Sequence, residues 1–227
     1  MDTFKPDMIA LTVDAVVFTI LQTQLKILLI KRKYGPFKGR FALPGGFVRL
    51  DENLEQAVRR ELEEETGVRN IFLKKLHAFG DVNRDPRGRT VTIPFLAIIN
   101  AEKISLRATT DAELARWYSV YELPALAFDH KQIIDDALKE LRFEIQLTNI
   151  AYQLLPQKFT LSELQKAYEI VLDKSIDKRN FRKRMNSLGI LKPLRETRME
   201  GAHRPAQLYD FQEKKYTFLR DKINVFV

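Results

Sequence analysis

Three glutamates, Glu61, Glu64 and Glu65, stand at i, i+3 and i+4 in the stretch from Gly46 to Val68, GFVRLDENLEQAVRRELEEETGV. At that spacing a helix carries them on one face. Leu54, Ala57, Val58 and Leu62 give the same helix an apolar side that packs on a sheet. Three neighbouring carboxylates repel each other, which costs stability unless a cation neutralises them. Oxygen-only ligands without His or Cys suit a hard ion, Mg²⁺ or Mn²⁺. Such an ion bridges phosphate oxygens and activates a water. A solvated acidic helix, with Arg59 and Arg60 as local partners, is the other reading of these residues.

The residues around the helix favour the first reading. Gly46, Glu52 after five residues, and Arg60-Glu61-Leu62-Glu63-Glu64-Glu65-Thr66-Gly67-Val68 after seven more resemble the complete signature of the Nudix hydrolase family. Seven fixed residue types and two aliphatic positions agree, and at average composition a chance match at one place is well under about one in a million. The resemblance implies an α/β fold, a Nudix α/β/α sandwich with a mixed sheet, and hydrolysis of a nucleoside diphosphate linked to another group. Carried over by position, Glu61, Glu64 and Glu65 would bind Mg²⁺ (or Mn²⁺) with help from the Gly45 carbonyl. Arg60 would orient the glutamates, and Glu52 would be a supporting or outer ligand. Asp111 and Glu113 are candidates for a general base on a later loop.

A second chemistry lies near the end of the chain. Lys178, Arg179, Asn180, Arg182, Lys183 and Asn186 fall on a segment whose apolar stripe is Phe181, Met185 and Leu188. If the stripe faces inward, the polar set is left outward. Arg and Asn read guanine and adenine edges in the major groove, and Lys mostly meets phosphate. His203 and Arg204, in the turn Gly201–Pro205, could touch the backbone or the minor groove. Asn180 is open to a second role as a helix cap. The stretch 159–211, with Asp177–Arg182, Arg204-Pro205 and Leu208-Tyr209, resembles the winged helix that follows a Nudix domain in the NrtR group of transcriptional regulators. Ala127–His130 (AFDH) resembles that group as well.

The elements that must position these residues are legible in outline. Leu11–Leu21 and Leu25–Arg32 are Val-, Ile- and Leu-rich runs joined by a polar segment, which predicts a hairpin. Phe41–Leu43 is a short strand leading to Pro44-Gly45-Gly46. Asn53–Thr66 is a helix closed by Gly67. Strands are expected near 70–76 and 90–99, with a polar loop, DVNRDPRGR, over Asp81–Arg89. His130–Glu144 reads as an amphipathic helix and Ile145–Leu155 as a further one ended by Pro156. His130 reads as a helix-start residue, and Phe128, Trp117 and Tyr118 as core. Thr160-Leu-Ser-Glu163 is a capping box, followed by Leu161, Leu164, Ala167, Tyr168, Val171 and Leu172 at helical spacing. A second helix near Asp177–Leu188, capped by Gly189, and two alternating runs, 192–198 and 207–211, complete a winged helix-turn-helix. Two domains are expected, 1–145 and 146–227.

Charge agrees with that division. The 227 residues carry a formal charge of +8. Residues 1–145 hold 22 Lys/Arg against 21 Asp/Glu, and residues 146–227 hold 16 against 9. A neutral module followed by a basic one suggests a polyanion partner for the second. The absence of cysteine excludes disulfides, thiolate metal sites and a cysteine nucleophile. No apolar run approaches the ~20 residues of a membrane span, and MDTFKPD lacks the order of a signal peptide, so a cytoplasmic protein is expected. Three functions remain in view. The resemblance implies a regulator controlled by ADP-ribose or a related nucleotide, acting on a double-stranded DNA operator as a homodimer. It equally allows a Mg²⁺-dependent ADP-ribose pyrophosphatase with an extra domain. A sugar-sensing regulator on the same scaffold is the third.

Overall fold

The computed structural model describes residues 8–101, 106, 112–199 and 205–219, and the backbone alone at 112 and 113. It divides into two compact units: 1–18, 26–99 and 103–137 in the first, and 19–25, 100–102 and 138–227 in the second. Among the described residues no helix is long and apolar enough to cross a membrane.

The first unit is built on a mixed sheet. Its strands are β1 (Ala10–Leu21), β2 (Gln24–Arg32), β3 (Phe41–Ala42), β4 (Gly45–Phe47), β5 (Phe72–Lys75), β6 (Thr90–Ile98) and β7 (Ala112–Ser119). The hydrogen-bonded order is β3-β2-β1-β6-β5, with β4 added on β1 and β7 on β2. β1 and β6 are parallel, while the β4, β5 and β7 pairings are antiparallel. The run Val13–Thr19 of β1 is buried on both faces, as expected of a strand covered on both sides. Val13, Ala15 and Val17 share a core with Ala57, Val58 and Leu62 of α1 (Leu54–Thr66). Ile133, Ile134 and Ala137 of α2 (His130–Leu147) are also buried.

The second unit is a small helix-and-sheet body. Its three strands, β8 (Phe159–Thr160), β9 (Leu191–Arg198) and β10 (Ala206–Phe211), form an antiparallel sheet in the order β8-β10-β9. The expected capping box opens α3 (Leu161–Leu172): the Thr160 hydroxyl accepts from the Glu163 N–H, and the Glu163 carboxylate accepts from the Thr160 N–H. Asp177 caps α4 (Lys178–Leu188), and Gly189 ends it at φ 61°. Tyr168 of α3 meets Phe181 of α4 edge to face, centroids 5.4 Å apart. With Phe159, Leu164, Met185, Leu208 and Phe211 they form the core. The short strand β8 is a pairing that the sequence reading missed.

One expectation is corrected. Ile145–Leu155 is not a separate helix. Ile145–Leu147 belong to α2, and a 3-10 turn covers Ile150–Gln153. The break has a polar cause. The Thr148 hydroxyl donates to the Glu144 carbonyl and accepts from the Ile150 N–H. The Asn149 side chain bonds the Glu213 and Lys215 carbonyls and the Thr217 N–H, so a distant segment takes it out of helical geometry. Side chains that bond local backbone compete with the helix ladder.

Candidate functional site

α1 is a helix with both ends fixed. Asn53 and Gln56 form a reciprocal capping box at its start, and Gly67 at φ 74° closes it. The buried side, Ala57, Val58 and Leu62, fixes its rotation on the sheet. That rotation brings the three glutamates to a cleft of about 410 Å³.

Arg60 organises the acidic face. Its Nε and Nη2 donate to the two oxygens of Glu52 at 2.9 and 2.6 Å. Its Nη1 donates to Glu61 at 2.6 Å and to Glu64 at 3.2 Å. Glu52 also accepts the Arg49 N–H at 2.9 Å. The Arg60 guanidinium and that N–H hold the Glu52 carboxyl down at about 2. Glu52 therefore sits behind Arg60 and is not among the residues that line the cleft. Burial pushes the Glu61 carboxyl up, against the pull of Arg60. The third glutamate, Glu65, is buried and accepts the Gly45 N–H at 2.9 Å. The lack of a side chain at Gly46 leaves room for Glu61: a Cβ there would clash with the Glu61 carboxylate, which would have to move. Gly46→Ala is expected to displace the Glu61 carboxylate, lowering both thermal stability and any stabilisation by Mg²⁺. Melting curves with and without the ion check both, and a Mg²⁺ shift equal to wild type would refute the packing argument.

Glu61, Glu64, Glu65 and Gly45 all line the cleft, and carboxylates with a backbone carbonyl are donors of the kind that suit a hard divalent ion. Among the described residues no three acidic or imidazole side chains are gathered round one point. The Arg60 guanidinium supplies the positive charge between Glu61 and Glu64 instead.

The remaining walls come from residues far apart in sequence. Asp14 of β1 is buried, and Thr92 donates to it at 2.6 Å. His130 opens α2. Its Nδ1 accepts the Leu43 N–H at 2.9 Å, and its Nε2 is 3.6 Å from Asp14. Burial holds the imidazole below its ordinary pKa despite the nearby Asp14, so it is neutral at pH 7. Arg84 grips Asp129 through two bonds of 2.8 and 2.7 Å. Arg87 grips Asp85 at 3.0 and 2.7 Å. Burial raises the Asp85 carboxyl, but the Arg87 bonds outweigh it and its pKa is lowered. Phe128 lines the cleft while still packing on the core, so its expected core role is only half of its placement. Trp117 packs against the same core. Tyr118 lies edge-on to Phe41.

Asp14, Arg32, Arg84, Asp85, Arg87 and Phe128 were missed as cleft residues. One signal was present: a lone Asp inside the apolar run LTVDAVVF implies a buried carboxylate with a purpose. The candidate bases are not placed, since Asp111 and the side chain of Glu113 lie outside the described residues.

In the second unit, Phe181, Met185 and Leu188 are buried. Lys178, Arg179, Asn180, Arg182, Lys183 and Asn186 are all exposed on α4. Asn180 does not cap the helix: Asp177 does, accepting the Asn180 N–H at 2.8 Å. His203 and Arg204 lie outside the described residues.

A mixed sheet, a capped acidic helix packed against the Gly-Gly strand β4, and a following helix-helix-hairpin unit are the architecture of a Nudix domain followed by a winged helix. Residues 10–140 match the model of the NUDIX domain, and residues 151–211 match the model of the NrtR DNA-binding winged helix domain. The chain belongs to the Nudix family. It is 38% identical over 92% of its length, and 84% of the other protein, to an ADPR responsive transcriptional repressor of Acinetobacter baylyi. It is 47% identical to an ADP-ribose pyrophosphatase of Methanocaldococcus jannaschii, over 53% of this chain and 70% of that one. Among solved structures it resembles Shewanella oneidensis NrtR complexed with a 27mer DNA, at TM-score 0.79 and 36% identity, covering 89% of this chain and 93% of that chain.

Proposed function

We propose that this chain is an ADP-ribose-responsive transcriptional repressor, with residues 1–145 as the ligand domain and 146–227 as the DNA-binding domain. The observation that carries this reading is one chain holding both a charged cleft at a complete Nudix helix and a helix, α4, whose exposed face carries Lys178, Arg179, Arg182 and Lys183 and no acid. The relative that matches 92% of this chain is an ADPR responsive transcriptional repressor. The recognition residues would be Lys178, Arg179, Asn180, Arg182, Lys183 and Asn186 on α4, together with His203 and Arg204, acting on double-stranded DNA as a homodimer. For the ligand to release the operator, it must bind the DNA-free state more tightly. ADP-ribose is therefore expected to weaken binding to a duplex carrying the operator by roughly 5- to 150-fold in fluorescence anisotropy. An operator affinity indifferent to ADP-ribose would sink the reading.

The intact glutamates favour a second activity in the same molecule, cleavage of ADP-ribose to AMP and ribose 5-phosphate. Mg²⁺ or Mn²⁺ would be held by Glu61, Glu64, Glu65 and the Gly45 carbonyl. When bound it would polarise the phosphate and lower the pKa of a water. Arg60, itself held by Glu52, bonds one oxygen of Glu61 and one of Glu64 and would orient both glutamates for the ion.

A further inference from the structure

The turn between α3 and α4 is tied to one residue of α3. Asp173 ends α3 at φ 55°, a left-handed conformation that aspartate tolerates better than most side chains. Its N–H and that of Lys174 both donate to the Glu169 main-chain carbonyl, the second at 3.2 Å. The Glu169 side chain then takes a third donor: its Oε1 accepts the Ile176 N–H at 3.1 Å. Gln165, one turn earlier on the same helix, completes the arrangement. Its Nε2 donates to the Ile176 carbonyl at 2.9 Å and to Glu169 Oε1 at 3.1 Å. Both main-chain groups of Ile176 are thus held by side chains of α3. Asp177 follows at once as the cap of α4.

This clamp is not needed to end α3 or to start α4. The left-handed Asp173 does the first, and the Asp177 carboxylate does the second by accepting the Asn180 N–H. What the clamp adds is a fixed path between them. A short turn whose main-chain groups are held only by water samples several conformations, and each sends the next helix off at a different angle. The choice of a carboxylate also calls for a reason. Residues 146–227 hold 16 Lys/Arg against 9 Asp/Glu, and an acid in such a module opposes its approach to a polyanion. Glu169 is half-buried, and its Oε2 lies 3.9 Å from the Lys166 ammonium.

We propose that Glu169 and Gln165 are positioning residues for sequence reading. They set the direction in which the turn launches α4, and so the placement of its exposed Arg, Lys and Asn side chains on a duplex, while touching no DNA themselves. The inference rests on the DNA-binding reading of α4 and goes further by naming what aims the helix.

The test compares Glu169→Ala with Glu169→Gln in the full chain. Both remove the same negative charge, but only glutamine keeps an oxygen that can accept the Ile176 N–H. Binding is measured by anisotropy on the duplex that wild type selects from a random-sequence pool, and on a scrambled duplex of the same composition. Glu169→Ala is expected to weaken the selected duplex by roughly 10- to 100-fold, the scale of one lost base-pair contact, with the scrambled duplex within about twofold of wild type. Glu169→Gln is expected to stay within about threefold of wild type on both. Hydrogen exchange of the Ile176 amide gives a readout independent of DNA: slow in wild type and Glu169→Gln, at least about tenfold faster in Glu169→Ala. If Glu169→Ala fails to fold, Gln165→Met keeps the side-chain length without the amide donors. It is expected to cost about 3- to 10-fold on the selected duplex alone, the scale of one neutral hydrogen bond. Equal effects of the alanine and glutamine variants overturn the proposal. So does an equal loss on both duplexes, or unchanged Ile176 exchange in Glu169→Ala. A wild type that selects no sequence, with the exchange pattern as expected, leaves the clamp standing and rejects the DNA-reading function instead.

Discussion

Glu64→Gln is expected to lower release of AMP and ribose 5-phosphate from ADP-ribose by about 10²-fold or more, the scale on which a charge-stabilising group in a hydrolytic site acts. The substitution is isosteric and removes one negative charge from the face that would bind the ion. Its structural cost is small, because Glu64 is 41% exposed and gives up only a 3.2 Å bond to Arg60 and a 3.5 Å contact with Arg49. Ligand binding should persist: at a hundredfold excess over Kd, ADP-ribose still stabilises the native state by about 2.7 kcal/mol. The control is Glu63→Gln. Glu63 sits between Leu62 and Glu64 in sequence but pairs with Arg69, and it does not line the cleft. It should turn over at the wild-type rate. Equal turnover in Glu64→Gln and wild type would reject the ion assignment. No turnover in wild type, with the thermal shift retained, would define a sensor that keeps its carboxylates without hydrolysing this ligand.

What could be read in advance divides by the range of the interaction that carries it. Gly67 ending α1, the Thr160–Glu163 box opening α3, Gly189 ending α4 and the Phe181–Met185–Leu188 stripe are set by residues within a few positions of one another. Spacing alone reveals them. The acidic face of α1 belongs to the same class. The opposite wall of the cleft does not. Arg84 and Asp129 are 45 residues apart, Asp14 and Thr92 are 78 apart, and Leu43 and His130 are 87 apart. Only the sheet order, with β1 parallel to β6 and β4 laid on β1, brings them together. Phe128 illustrates the loss. Its apolar type suggests core, and nothing local announces a left-handed backbone that turns the ring to the cleft. The misjudged Ile145–Leu155 helix has the same origin, since the Asn149 side chain is claimed by carbonyls 64 and 66 residues away.

Replacing Arg179 and Arg182 together by alanine is expected to weaken operator binding by about 10²- to 10³-fold and to raise the melting temperature slightly. The first effect follows from where the two side chains stand. Both are exposed at i, i+3 on α4, opposite the buried Phe181 and Met185, so alanine removes two cations without opening the core. A base-reading arginine contributes about 1–3 kcal/mol, and each lost phosphate contact lowers the salt dependence of binding by about one charge. Anisotropy titrations at several salt concentrations separate the two cases: a shallower slope marks phosphate contacts, and relaxed sequence preference marks base contacts. The second effect follows from the helix dipole. Lys178 and Arg179 occupy the first turn of α4, where no acidic residue accompanies them and positive charge is disfavoured. Each such charge costs about 0.3–1 kcal/mol at low salt, which the Asp177 cap offsets only in part. Alanine relieves one of these charges and favours the helix. The ADP-ribose thermal shift should be unchanged, since no cleft residue is altered. Unchanged operator affinity and salt slope would remove α4 from the DNA interface. A loss of affinity with a gain in stability would show that the basic first turn is kept at the expense of the fold, and for the partner it meets.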